Sequence, residues 1–438
     1  MLFTRLPEKK YLLGIDMGES FCQISYLNTR RLTAGMDPHT FSYILGREEF
    51  DIPSAAFEDP ATGTWVFGSE ALERAAAYGR EPVTHLLEAV VRAEEESFGG
   101  SRQAGGQIVF QASPSLEEEL LLGFLRYCMT LLSTEITAEE IEAVTFTTAV
   151  MDRRTAAVLQ RTAEVLFPGL LKVAFEEHLK SFYHYVLTQD EEQRRQSVLL
   201  LDGSSDTELV LSILSFNKKT RPIVCFPGER RVSIPADAEA KEKDRILYAA
   251  VKELMQEYEF SAAYLTGKVM GGGWMKDSLN LIVRGRRAFQ GDTLYSKGAA
   301  DSTMAACGLT AKTDKYFYLS RDALRCNIGM QCLKKGRTVY QALLDAGAEW
   351  YDAAAQIDIL LEAGDEIVLS ETSVDRGNQR EIAVKLENMP KRPSRTTRLR
   401  IRLRMTAADR LLIEAEDLGF GEIFPSSGMK WKQEIVIS

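Results

Sequence analysis

Only four histidines and six cysteines are spread over 438 residues. The cysteines (Cys22, Cys128, Cys225, Cys307, Cys326 and Cys332) lie far apart, with no Cys-x-x-Cys spacing. That excludes a disulfide-stapled scaffold and reads as buried, reduced thiols. The histidines show no metal-ligand spacing either. No apolar run approaches the ~18 residues a membrane span needs, and the N-terminal segment lacks the apolar core of a signal peptide. The expectation is a cytoplasmic chain. Glycine (31) and proline (13) are too few for a collagen-like or low-complexity protein. Basic residues are in deficit, 53 against 63 acidic ones, for a net charge of −10. Such a balance argues against general nucleic-acid binding. No Ser-His-Asp order or catalytic Cys-His pair stands out.

What is present is ordinary globular composition, 45% hydrophobic and 26% charged. The length predicts two or three domains. Charge divides the chain unevenly: residues 1–310 carry a net −11 and residues 311–438 a net +1. The first part mixes strands and helices. Tyr11–Ile15 and Phe21–Leu27 flank a Gly turn and predict a hairpin. Helical periodicity covers about 69–78, 83–95, 116–132, 152–166 and 176–187. Strand Val198–Leu201, a polar turn and strand Glu208–Leu214 repeat the opening hairpin, with Asp202 standing where Asp16 stood. This is an architectural duplication. A helix over 244–258 and a strand Ala262–Leu265 lead into a Gly-rich loop, with a further helix from near Trp274. Beyond residue 310, short alternating runs at 316–319, 367–370, 382–386, 399–405, 411–415 and 434–437 predict an all-β sandwich, with one helix near 340–345.

The paired Asp turns have a physical use. Backbone N–H groups in a tight turn form a concave anion site. Two such turns facing each other can clasp a polyphosphate, and an Asp in each can hold hydrated Mg²⁺.

The ordered motifs resemble the actin, sugar-kinase and DnaK-type chaperone superfamily. Gly14-Ile15-Asp16-Met17-Gly18-Glu19-Ser20 looks like its first phosphate motif, and Leu201-Asp202-Gly203-Ser204-Ser205-Asp206-Thr207 its second. Ile52-Pro53-Ser54-Ala55-Ala56-Phe57, Val66-Phe67-Gly68-Ser69-Glu70-Ala71 and Val144-Thr145-Phe146-Thr147-Thr148-Ala149 are similar to DnaK segments. Phe175-Glu176-Glu177-His178 stands where that family reads Asn-Glu-Pro. Tyr264-Leu265-Thr266-Gly267 resembles the adenosine motif, and Tyr295-Ser296-Lys297-Gly298-Ala299-Ala300 the final connecting helix. The whole chain is similar to uncharacterised clostridial DnaK-like proteins.

The resemblance implies an α/β fold: a two-lobed, duplicated ribonuclease H-like ATPase domain (1–310, lobes about 1–196 and 197–310), then a β-sandwich (311–438). It implies ATP or ADP with Mg²⁺, held through waters by Asp16 and Asp202. Asp16, Gly18, Ser20, Gly203, Ser204, Gly267, Gly271, Gly272 and Gly273 would line the nucleotide. In the catalytic set, Glu177 would orient the attacking water, beside Asp202 and a Thr207 near the γ-phosphate.

Departures from the pattern shape the functional expectation. Glu19 replaces Thr or Ser beside the phosphates, and Ser204, Ser205 and Asp206 replace a glycine run. Both changes set carboxylates against a polyphosphate. The Gly pair of the adenosine motif is displaced by Lys268-Val269-Met270. Residues 215–243 are too short and irregular to form an adenine-gripping lobe, and no active-site lysine matches, although Arg92 lies near that stretch. The first expectation is therefore a DnaK-like protein with a degenerate nucleotide cleft, acting mainly by binding a protein or peptide through 311–438. The alternatives are an active Mg²⁺-ATP-dependent chaperone-like ATPase and a filament-forming bacterial actin relative.

One strand pattern stands apart. Arg398, Arg400, Arg402 and Arg404 alternate with Leu399, Ile401, Leu403 and Met405, so in a strand the arginines share one face. That face is the chain's one candidate for an acidic partner or a phosphate backbone. A solvated sheet face paired to Glu414, Glu416 and Asp417 is the favoured reading, and an edge strand guarded by charge also fits.

Overall fold

The computed structural model describes residues 10–33, 36–99, 115–170, 172–310, 315–321, 323–350, 353–374, 378–407 and 409–437. Two compact units emerge, Met1–Phe317 and Tyr318–Ser438.

The first unit contains the duplication. Strands β1 (Tyr11–Met17), β2 (Phe21–Asn28), β3 (His39–Thr40) and β4 (Ile52–Pro53) open the first lobe. A small sheet of β5 (Ala55–Asp59), β6 (Thr64–Phe67) and β7 (Val83–Thr84) follows, with helix α1 (Ser69–Tyr78) on it. Helices α2 (Leu86–Gly99) and α3 (Leu116–Leu132) lead to β8 (Ile141–Thr148), α4 (Arg153–Leu166), β9 (Val173–Glu177) and α5 (His178–Thr188). The main sheet runs β3-β2-β1-β8-β9, with β4 also on β2. β1 is antiparallel to β2 and parallel to β8.

The second lobe repeats this wiring. Strands β10 (Ser197–Asp202), β11 (Glu208–Asn217) and β12 (Ile223–Ser233) precede α6 (Ala240–Glu257), β13 (Phe260–Thr266), α7 (Asp277–Val283), β14 (Arg287–Gln290), α8 (Leu294–Ala306) and β15 (Tyr316–Tyr318). Its sheet runs β14-β13-β10-β11-β12-β15. β10 is antiparallel to β11 and parallel to β13, as β1 is to β2 and β8. The equivalence reaches single residues: Asp16 lies opposite Thr147 on its parallel neighbour, and Asp202 opposite Thr266. The central strands are buried on both faces, so they read as nearly unbroken apolar runs. One core under the first sheet gathers Leu13, Ile15, Phe124, Phe146 and Leu159, and another under the second gathers Leu199, Leu201, Leu247, Val251 and Ile282.

Three expectations change here. Residues 83–95 are not one helix: Val83–Thr84 pairs with β5, and His85 takes a left-handed backbone (φ 54°) before α2 starts. The stretch 215–243 is not irregular: residues 224–233 of β12 pair residue for residue with Glu208–Asn217. The helix expected from Trp274 begins only at Asp277, where Asp244 accepts from the backbone N–H groups of Lys276, Asp277 and Ser278 at 2.8–3.0 Å.

Helices α5 and α8 pack closely. Gly298 lies so near the Ser181 backbone carbonyl that an added Cβ would overlap it, and Gly14 meets the α8 backbone at Ser296 and Ala300 in the same way. Thr303 Oγ1 donates to Leu13 O at 2.7 Å. Small residues are required where backbones approach this closely.

The second unit is two four-stranded antiparallel sheets on one core. β16 (Cys326–Lys334), β17 (Arg337–Leu344), β19 (Glu366–Ser373) and β20 (Gln379–Lys385) form the sheet β17-β16-β19-β20. β18 (Ala354–Leu361), β21 (Thr397–Ala407), β22 (Arg410–Asp417) and β23 (Lys430–Val436) form β18-β21-β22-β23. The helix expected at 340–345 is the end of β17, and no α-helix occurs among the described residues of this unit. β21 buries Leu399, Ile401, Leu403 and Met405 and turns its arginines outward, as alternation predicts. It is an interior strand rather than an edge, paired on both sides. Arg400 donates to Asp358 at 2.8 and 3.0 Å, while Arg402 donates to Gln356 at 2.9 Å and lies 3.6 Å from Glu416. Glu414 faces Lys432 instead.

Asp417 turns inward. Arg392 grips it with two bonds of 2.8 Å, and Gly419 and Ser427 donate further bonds. These donors hold its carboxyl well below the ordinary value of 3.8 against the opposing effect of burial.

Two outcomes follow. Gly298→Val, which must push α5 off α8, is expected to cost about 3 kcal/mol in denaturant unfolding of the first unit. Asp417→Asn strands a buried guanidinium and is expected to cost about 3 kcal/mol at neutral pH. Because the folded value is depressed, the wild-type advantage is complete above the unfolded carboxylate range. It fades only as pH falls toward the folded value, which paired melts of wild type and variant would read.

Candidate functional site

The duplicated hairpins bring the two aspartates to one place. Asp16 is buried at the end of β1, and Asp202 is half-buried at the end of β10. They are joined by two aromatic side chains rather than facing open space. His178, the first residue of α5, meets Asp16 Oδ1 through Nε2 at 2.7 Å. Its ring stacks on Tyr295, near the start of α8, with centroids 4.0 Å apart and planes 9° apart. The Tyr295 hydroxyl donates to Asp202 Oδ2 at 2.6 Å. The other oxygen of Asp202 accepts from Ser204 N at 2.9 Å and Ser204 Oγ at 2.5 Å. A continuous chain thus runs Asp16, His178, Tyr295, Asp202.

Burial alone would push the His178 imidazole below its ordinary 6.5. The adjoining Asp16 carboxylate, with Asp202 and Glu177 nearby, outweighs that and holds it above. Burial and the Asp202 carboxylate push the Tyr295 phenol well above 10, so it stays a donor.

The second turn is also internally bonded. Gly203 N donates to Thr266 O at 2.9 Å, and Gly203 O accepts from Val269 N at 3.1 Å. A Cβ on Gly203 would press on Val269 and Met270 at 3.1 Å. Gly267, at φ 91°, abuts the Gly203–Ser204 backbone. Thr207 N turns to Ser205 Oγ at 3.3 Å. A phosphate needs free N–H groups, and those of Gly203, Ser204 and Thr207 are already partnered.

The remaining candidates divide. Glu177 ends β9 next to His178, half-buried. Its neighbour Glu176 is the buried one, bonded by Ser181 at 2.6 Å and Ser302 at 2.8 Å, with its carboxyl raised by burial. Gly18 is buried beneath Phe21, whereas Glu19 and Ser20 are exposed at the first hairpin tip. Thr207 and Asp206 are exposed at the second tip. Gly271, Gly272 and Gly273 are exposed beyond the Lys268–Gly271 turn, and no side chain of the Asp pair bonds to them. Lys268 of that turn reaches Asp51 of the first lobe at 3.2 Å, and Gln23 ties Asp51 to the Asp292 carbonyl at 2.7 and 2.9 Å.

Sequence reasoning missed His178 and Tyr295. Their signal was positional: each opens a connecting helix, and His178 stands where the resembled family has proline.

As arranged, the two aspartates do not fit a hydrated Mg²⁺. The ion needs carboxylate oxygens facing water, and three of the four bond to His178, Tyr295 and Ser204.

The imidazole gives a direct test. In NMR titrations the two histidines of α5 separate by environment. His178 is expected to titrate above 6.5, and His184, which burial lowers to about 3, to stay neutral. Asp16→Asn is expected to lower the His178 value, because the largest opposing charge to burial is lost and only Asp202 and Glu177 remain to raise it. The ion pair stabilises fully below 6.5 and is lost as pH rises through the folded value.

Comparison with curated proteins gave no match. Among solved structures, the chain is similar to a non-polymerising MamK mutant bound to AMPPNP (11% identity, 68% of this chain and 99% of that one, TM-score 0.37). It is similar to MreB5 of Spiroplasma citri bound to ADP (11%, 87% and 73%, TM-score 0.28). A third is the activator of 2-hydroxyisocaproyl-CoA dehydratase from Clostridium difficile with bound ADPNP (9%, 69% and 97%, TM-score 0.32). No helix among the described residues is long and apolar enough to cross a membrane. The model for a domain of unknown function, DUF8552, matches residues 323–437. The model described as "Family of unknown function (DUF5716) C-terminal" matches residues 37–321, about two thirds of the sequence, and the chain belongs to that family.

Proposed function

We propose that this chain is an actin-type ATPase relative whose nucleotide cleft has become a structural joint, and that it works by binding a protein partner through its β-sandwich. The observation that carries this reading is the Asp16–His178–Tyr295–Asp202 chain. Two carboxylates suited to a hydrated cation instead bind two rings of the chain itself. Displacing them would uncover Asp202 Oδ2 and break a buried ion pair, and a partly satisfied buried network costs more than an intact one. The acidic side chains at the hairpin tips add repulsion. Two like charges at ~4 Å cost about 1 kcal/mol in water and ~4 kcal/mol at a surface-like dielectric.

The sandwich is the better candidate for a partner. Its outward arginine row lies on an interior strand; among the described residues Arg400 and Arg402 bond to Asp358 and Gln356, and Arg398 also lies near Asp358. A row at two-residue spacing, about 6.6 Å, suits an acidic peptide. The Mg²⁺-ATPase reading keeps one support, the retention of Asp16, Asp202 and Glu177.

Calorimetry of the full chain with ATP and ADP, with and without Mg²⁺, decides between them. No heat at about 1 mM nucleotide is expected. Mg²⁺-dependent binding in the micromolar range, lost in Asp202→Ala, would overturn the proposal and restore the ATPase.

A further inference from the structure

The histidines show no ligand spacing along the sequence, yet the fold assembles a cluster at the first hairpin tip. Glu19, His85 and Glu88 each present one ligand atom, all within 4.8 Å of one another. His85 Nδ1 lies 3.8 Å from Glu19 Oε1. That nitrogen is shielded from solvent and has no hydrogen-bond partner, although the ring as a whole is partly exposed. Among the described residues no lysine or arginine forms an ion pair with Glu19 or Glu88. Two carboxylates therefore stand beside a neutral-capable nitrogen with no cation to balance them.

The geometry of the chain makes this arrangement. His85 and Glu88 are three residues apart across the start of α2, which sets them on one face. The β5–β7 pairing ends at Thr84, and the left-handed His85 backbone turns the chain there into the helix. A non-glycine residue in this region costs energy and is held only by its surroundings. Glu19 is delivered from the other side by the β1–β2 turn.

We propose that Glu19, His85 and Glu88 form a divalent transition-metal site, taking Zn²⁺ through one imidazole nitrogen and two carboxylates. The donor set suits Zn²⁺, which accepts nitrogen and oxygen ligands at about 2.0–2.2 Å, and is too nitrogenous for Mg²⁺. Three protein ligands leave a fourth position for water or an anion. Binding needs the three atoms to draw in to about 3.3 Å apart, the edge of such a tetrahedron, within reach of two exposed glutamates. The site also gives Glu19 a role. The carboxylate that departs from the phosphate motif becomes a ligand, at a position separate from the Asp16–Asp202 joint. The proposal stands whether or not nucleotide binds.

The test uses the full chain, stripped with EDTA and titrated with ZnCl₂ by calorimetry, alongside Co²⁺ absorption. One equivalent is expected, with a dissociation constant below about 10 µM and a Co²⁺ visible band of four- or five-coordinate intensity. His85→Gly keeps the left-handed backbone without steric cost, so it folds and is expected to weaken Zn²⁺ roughly 30-fold or more. Glu88→Gln is expected to weaken it by roughly tenfold. Absence of binding up to about 100 µM Zn²⁺, or binding unchanged in His85→Gly, would overturn the proposal; the second result would place the metal on the cysteines or elsewhere.

Discussion

Everything distinctive in the first unit depends on how closely α5 and α8 cross. Gly298 rests on the Ser181 carbonyl, and Gly14 admits the backbone of α8 against β1. Ser181 lies three residues into its helix from His178, and Gly298 three residues on from Tyr295. One turn back from the contact on each helix, the two rings meet at 4.0 Å. The stack follows from the crossing. The crossing in turn follows from the absence of one Cβ on each side of α8, which lets backbone lie on backbone and Thr303 reach Leu13 O.

The same packing explains why the aspartates are occupied. Asp16 and Asp202 hold equivalent register positions near the ends of β1 and β10, and the His178–Tyr295 stack joins them. In such a place two carboxylates need positive charge or donors. Here a protonation-biased imidazole serves one and a phenol serves the other, while Ser204 closes the remaining oxygen of Asp202. Buried polar groups that are all partnered stabilise one arrangement and resist exchange for water.

Much of this architecture was legible in the sequence, for reasons tied to particular residues. The two Asp turns, their flanking apolar strands and the alternation from Arg398 to Met405 carry period-two patterns that a sheet enforces. The aspartates themselves were identifiable because a polar residue ended an apolar run twice. What was not legible depended on contacts far apart in sequence. Strand Ile223–Ser233 looked irregular because its charged half, Glu229 to Arg231, is not core but pairs its arginines with Glu208, Glu253 and Glu257. Cys326–Lys334 and Ala354–Leu361 are strands whose alternation is incomplete, so their pattern is weak in the sequence. The end of β17 resembled a helix because Tyr340 to Leu344 is short and partly apolar. His178 and Tyr295 gave only a positional signal, because their partners lie more than ninety positions away, and His85 needs Glu19 from the far hairpin as well as nearby Glu88.

The seat of Gly298 on Ser181 has a kinematic consequence. Two helices in ordinary contact through side chains can slide, because methyl groups and rotamers yield a few tenths of an ångström at a time. A backbone resting directly on a carbonyl has no such compliance in translation. Sliding of α8 is therefore blocked at two places, on Ser181 of α5 and on Gly14 of β1. Two such seats fix α8 against both elements, and the His178–Tyr295 stack lies one turn from the first of them.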